Sequence, residues 1–204
     1  ETGTTFSNTV SFSTAGDNGN TRFSLTNLDN DDISPNSTLD RNSIGINTSQ
    51  NVGKNIRIDA NLKYLLEDQS GNPRLSDGPG NANWIINHTS PSVDVNWGKG
   101  PNGDGRNDDL SEFQMTPSIY IQNPWFAQNY YVNDSEKERF IGSINMRWDL
   151  TDWLYARARV GADRYDLHRT QSEPFGTGYK PKGGINHYKF CLLYTSDAAD
   201  ERSW

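Results

Sequence analysis

The sequence predicts an all-β chain, an antiparallel sheet forming part of a transmembrane β-barrel and open and curved over these residues. Three observations predict it: long stretches in which apolar and polar residues alternate, connections that are short and long by turns, and strands long enough to cross a bilayer. In Asn55 to Glu67, "NIRIDANLKYLLE", Ile56, Ile58, Ala60, Leu62 and Tyr64 fall on one side, and Arg57, Asp59, Asn61 and Lys63 on the other. Successive side chains of a strand point to opposite faces, so this stretch has one greasy face and one charged one.

Six stretches carry that period. The first, "TTFSNTVSFSTAG", sets Phe6, Val10 and Phe12 against Ser7, Ser11 and Ser13, and runs into "DNGN", whose Asn18-Gly19 pair signals a hairpin. The second, "TRFSLTNL", sets Phe23 and Leu25 against Arg22, Ser24 and Thr26. After the loop "ISPNSTLDR" comes "NSIGINTSQNV", with Ile44 and Ile46, and "GKN" turns it into the fourth stretch, quoted above. The fifth, "RFIGSINMRWDL", sets Phe140, Ile144, Met146, Trp148 and Leu150 against Arg139, Ser143, Asn145, Arg147 and Asp149. Beyond "TDW" the sixth, "LYARARVGADRYDL", sets Leu154, Ala156, Ala158, Val160 and Ala162 against Tyr155, Arg157, Arg159 and Asp163. No helical period of comparable length interrupts them.

The connections at "DNGN", "GKN" and "TDW" are short, whereas "ISPNSTLDR", residues 67–138 and the stretch after Leu167 are longer. Short turns therefore collect at one end of the sheet, as periplasmic turns do in an outer-membrane barrel, and residues 67–138 become a long extracellular loop. An apolar band about 25 Å tall, crossed at about 40°, needs about ten strand residues. Phe140 to Trp148 covers about 27 Å of strand, with an aromatic ring at each edge. Trp148, Trp153 and Tyr155 gather at the short-turn end, where a girdle would lie.

Composition excludes several classes. The apolar fraction of 32% and mean hydropathy of -0.85 are low, but a net charge of only -7, 11% aromatic residues and regular strand patterns exclude disorder. No apolar run approaches the roughly 18 residues of a membrane helix. Mild acidity without Lys/Arg clusters speaks against nucleic acid as a partner.

The C-terminal segment differs in style. "CLLYTSDAADE", from Cys191, resembles the conceptual translation of a transposase-type sequencing adaptor over eleven residues. Residues 191–204 are accordingly expected to be foreign, and "CLLYT" to make no consistent contacts with the strands. Residues 1–190 then form the native piece of a longer gene product, one without cysteine, as suits an oxidising compartment.

The order "NTVSFSTAGDNGNTRFSLTNLDNDDISPNSTLDRNSIGINTSQNVGKNIRIDANLKYL", then "RLSDGPGN", then "NPWFAQNYYVNDSEKERFIGSINMRWDLTDWLYARARVGADRY", resembles the barrel of SusC/RagA-type TonB-dependent outer-membrane receptors. The resemblance spans nearly all of the chain before Cys191. It implies a Gram-negative outer-membrane location, and a barrel of about 22 strands closed by a plug, about six of them here. It further implies import of oligosaccharides or peptides energised by the TonB complex, with a SusD-like surface lipoprotein as partner and outer-membrane lipid around the wall.

Enzymatic chemistry is not expected. His88, His168 and His187 lie in or next to loops without metal-ligand spacing, and no cofactor motif is present. Asp104, Asp108, Asp109 and Glu112 in "NGDGRNDDLSE" could gather calcium, but their spacing misses the EF-hand register, and a solvated acidic loop is the expectation. In the long loop, Trp84, Trp97, Tyr130 and Tyr131 are the substrate-binding candidates, since flat rings among Asn, Gly and Asp can stack on sugars or grip peptides. The alternative is that such rings pack the loop on itself, Trp125 and Phe126 of "NPWF" above all. Two other functions fit the same alternation: a secreted glycan-binding β-sandwich and a passive porin-like barrel.

Overall fold

A computed structural model describes residues 2–199. Seven antiparallel strands follow one another in a single open sheet, each pairing with its sequence neighbours. They are β1 (Thr4–Gly16), β2 (Gly19–Asp31), β3 (Thr38–Val52), β4 (Ile56–Ser70), β5 (Val132–Asp149), β6 (Tyr155–Glu173) and β7 (Gly184–Ala199). Two short helices, α1 (Ala82–His88) and α2 (Pro124–Tyr130), and a 3-10 turn at Val95–Lys99 lie between β4 and β5.

All six expected strands are present, several of them longer than their apolar alternation. β4 continues to Ser70 and β5 begins at Val132, so the long connection is 71–131 rather than 67–138. In these extensions both faces are polar, with Glu136 paired to Asp68 and Lys137 to Glu67. The backbone ladder continues there although the period-two signal has vanished.

Register explains the asymmetry of the connections. β1 turns into β2 through residues 17–18, β3 into β4 through 53–55, and β5 into β6 through 150–154, all at one end of the sheet. The segments 32–37, 71–131 and 174–183 all lie at the other.

β7 is a seventh strand, and it corrects the expectation that "CLLYT" makes no consistent contacts with the strands. Cys191 pairs with Asp166, Leu193 with Arg164 and Thr195 with Ala162, so "CLLYT" is in continuous register with β6. Ladder hydrogen bonds join backbone to backbone and do not read side chains, and an unpaired edge accepts any extended segment. The side-chain pattern is what departs. Tyr188, Phe190, Leu192 and Tyr194 take the face of Arg169, Leu167, Tyr165 and Asp163, while Thr195 and Asp197 take register positions beside Ala162 and Val160. That inversion begins at Tyr188, just before Cys191.

The sheet buries neither face. On the side of Ile56, large apolar residues stay open to the surroundings, Ile144 being 52% and Val160 59% exposed. The buried apolar cluster lies instead in the long connection: Ile85, Phe126, Ala127 and Tyr131, with Trp84, Ile121 and Tyr130 against it.

Candidate functional site

Two features of this fold can meet a ligand: the loop cap at the long-connection end, and the polar face of the sheet.

The cap is organised by Asn123, which is completely buried. Its side-chain oxygen accepts from the backbone N–H of Trp125 (2.9 Å) and Phe126 (3.3 Å), capping α2, while Pro124 occupies a first-turn position that needs no donor. Its side-chain amide donates to the carbonyls of Gly98 (2.5 Å) and Phe113 (2.8 Å), and its own N–H donates to Glu112 Oε1 (2.6 Å). Gly105, at φ +92°, lies so close to α2 that a Cβ there would come within 2.3 Å of the Phe126 nitrogen. One asparagine thus gathers three loop segments around Phe126.

Glu112 ties this cap to the β6–β7 connection. Its second oxygen accepts from Gly178 N–H at 2.8 Å. The carboxylate is 3% exposed and has no cationic partner among the described residues. Burial pushes its pKa above the usual carboxylate range, and the two N–H donors pull only partly back. Burial likewise raises the Tyr131 hydroxyl, while burial and the nearby Glu173 push Tyr179 up to about 12. Arg74 completes the junction, donating to Glu173 Oε1 (3.3 Å) and to the Ser172 carbonyl (3.3 Å) above the Tyr131 ring.

A group whose pKa is raised in the folded state contributes stability that is fully present below its unfolded pKa and lost as pH rises through the folded one. Hydrogen-exchange protection of the Asn123 and Gly178 amides should therefore fall as pH rises from the ordinary carboxylate range toward neutrality. In Glu112→Gln that slope should be flat. The same slope in both proteins would contradict the assignment to Glu112.

Three of the four expected ligand-binding aromatics lie in or against the buried cluster, and Trp97 lies apart from it. Tyr131 is 8% exposed and part of the buried cluster. Tyr130 bonds Asp104 and lies under the Arg106 guanidinium, 3.3 Å from its ring centre. Trp84 packs on the cluster and stacks on His88 at 4.1 Å. Trp97 is 55% exposed, edge-on to Phe113 at 5.0 Å, and is the most accessible of the four. Sequence reasoning passed over Tyr120, which is 72% exposed and stacked on Tyr179.

The acidic loop does not converge. Asp104 accepts from Arg106 N–H (3.0 Å), Asp109 from Ser111 N–H (3.0 Å), and Glu112 turns inward. Among the described residues no group of three or more His, Cys, Asp or Glu is placed to hold a metal ion. His168 and His187 lie within β6 and β7 rather than in loops.

The polar face of the sheet is the larger feature. Strand positions sharing the face of Arg57 carry Arg22, Arg41, Lys63, Lys137, Arg139, Arg147, Arg157, Arg159 and Arg169 besides Arg57 itself. Against these ten basic residues stand five acidic ones, Asp59, Glu67, Asp149, Asp163 and Glu173. Toward the cap the charges are matched: Glu67 accepts from Arg41 (2.6 Å) and Lys137, and Asp163 pairs two-pronged with Arg139 (2.6 and 2.9 Å). Toward the short turns Arg57, Arg147 and Arg157 stand directly opposite one another on β4, β5 and β6. Only the register reveals that row, because its members are far apart in sequence.

The other face carries an apolar band bounded by acid. Ala60, Ile144 and Val160 form one cross-strand row, and Phe23, Ile46 and Leu62 belong to the next. Nearer the long connections Asp29, Asp40, Asp68 and Glu136 occupy a single row. Like charges placed directly opposite repel, which suits that row to open water and not to hydrocarbon.

No protein-family model matches the chain, and no curated protein matches it.

Proposed function

We propose that this chain is part of the wall of a Gram-negative outer-membrane barrel of the SusC/RagA type, an importer of oligosaccharides or peptides. The carrying observation is the unburied apolar band, continuous in register across neighbouring strands and backed by a face of Arg, Asn and Ser. A sheet with one such face needs an apolar cover, since water penalises exposed apolar area at about 25 cal/mol per Å2, and lipid supplies that cover to a barrel wall. The collection of the three shortest turns at one end supports the same reading, as does a self-packed cap at the other. Further strands of the same protein would pair with the open edges, a plug would fill the lumen and receive energy from the TonB complex, and a SusD-like lipoprotein would cover the loops. The resemblance carries those partners.

The uninterrupted parental gene tests this reading. It should encode a secretory signal, a plug and more strands, and in place of "CLLYTSDAADE" a segment with apolar residues at 195, 197 and 199, opposite Ala162, Val160 and Ala158. A gene that encodes a short soluble protein would overturn it.

A further inference from the structure

The short helix α2 is held at its two ends by connections that are not neighbours in the sheet. At its start, Asn123 donates its N–H to Glu112 Oε1 (2.6 Å), and Glu112 reaches on to the β6–β7 connection. There it accepts from Gly178 N–H (2.8 Å) and donates its own N–H to the Gly176 carbonyl (2.9 Å). At the last turn of α2 the contacts run to the β2–β3 connection instead. The Asn36 side-chain amide donates to the Gln128 carbonyl (3.4 Å) and to the Asn129 side-chain oxygen (3.2 Å), and the Gln128 amide donates to the Pro35 carbonyl. The Gln128 carbonyl is open to such a donor because the last turn of a helix leaves its carbonyls without partners inside the helix. Between these two ends Phe126 and Ala127 are buried, at 0% and 2% exposure, so the middle of α2 is fixed in the cap. From β3 to β6 the sheet runs three strand spacings, about 14 Å, and a seven-residue helix covers about 10 Å of that distance.

We propose that α2 is a strut that couples the β2–β3 connection to the β6–β7 connection across the end of the sheet. A rigid element anchored at both ends passes a displacement of one anchor to the other, and loosening either end frees both. A change in order at residues 32–37 is therefore felt at residues 174–183, and the reverse holds with equal strength. The coupling is independent of the importer reading, since it concerns contacts within the chain alone.

The test is hydrogen exchange of the intact protein at one fixed pH, read at single amides. Asn36 sits at φ +61°, so Asn36→Gly removes its side-chain amide without straining the backbone. Gln128→Ala weakens the same anchor from the side of the helix. Either variant should raise exchange at the Gly178 amide roughly five-fold or more and leave the Ile144 amide, in the middle of β5, unchanged. Conversely, Glu112→Gln loses one of its two acceptor oxygens and should raise exchange at the amide of Ser37, a buried residue whose N–H donates to the Ser34 carbonyl (3.2 Å). Ala127→Gly touches neither connection but loosens the helix between them, and should raise exchange at both Ser37 and Gly178. An unchanged Gly178 amide in Asn36→Gly and Gln128→Ala would overturn the proposal. Equal acceleration at Ile144 would also overturn it, because that result reports loss of the whole fold and not a coupling between two connections.

Discussion

Ile144→Arg in the intact protein, folded into a lipid bilayer, should cost about 2 to 4 kcal/mol more than Asn61→Arg. Ile144 is 52% exposed and sits in the row of Ala60 and Val160, well inside the apolar band. A guanidinium there would have to enter hydrocarbon or drag water and headgroups inward. Asn61 is the neighbour of Ala60 on β4 but faces the other way, bonded to Asn47 at 2.5 Å among polar side chains. The same new charge at that position stays in water. Denaturant titrations of both variants in liposomes give the comparison, and equal costs would contradict a lipid-facing band.

The second large effect concerns residues 1–204 expressed alone in plain buffer, where they should self-associate and disperse only in detergent. The buried apolar residues among those described, Ala82, Ile85, Phe126, Ala127 and Tyr131, belong to the cap, and none lies in the sheet. The apolar face has nothing to meet, because the opposite face carries Arg57, Lys63, Arg147 and Arg159 and cannot close over a dry interior. β1 and β7 each present an unpaired edge, which neither water-exposed nor lipid-exposed sheets tolerate well. Sedimentation should show large species. A monomer that melts cooperatively would support the β-sandwich alternative.

Strand existence was legible because the two faces of the sheet carry opposite chemistry on alternate residues, so Ile56 to Tyr64 announces itself without any alignment. Strand ends were not legible. At Asp68, Glu136 and Glu138 both faces are polar, and the ladder continues on backbone hydrogen bonds that leave no mark in the side chains. β7 shows the same blindness from the other side, since "CLLYT" pairs with β6 although its alternation is inverted relative to the sheet. The cap was partly legible. Pro124 after Asn123 is a helix-start signature, and the packing role foreseen for Phe126 agrees with its complete burial. Glu112 was read as one carboxylate of a solvated loop. Its burial depends on Asn123 and on Gly178, 66 residues away, and no local pattern encodes that contact. The arginine row was illegible for the same reason, as Arg57 and Arg147 meet only once β4 and β5 have paired.

The most direct test of a lipid-facing sheet is a fluorophore scan along β5. Single cysteines would replace each residue from Phe140 to Trp148 in the intact protein, with Cys191 changed to Ser where that segment is present. Labels at 140, 144, 146 and 148 should be quenched by a lipid-borne nitroxide and shielded from an aqueous quencher, and labels at 141, 143, 145 and 147 should show the reverse. Uniform access of the aqueous quencher to both sets, in protein bound to liposomes, would contradict the barrel.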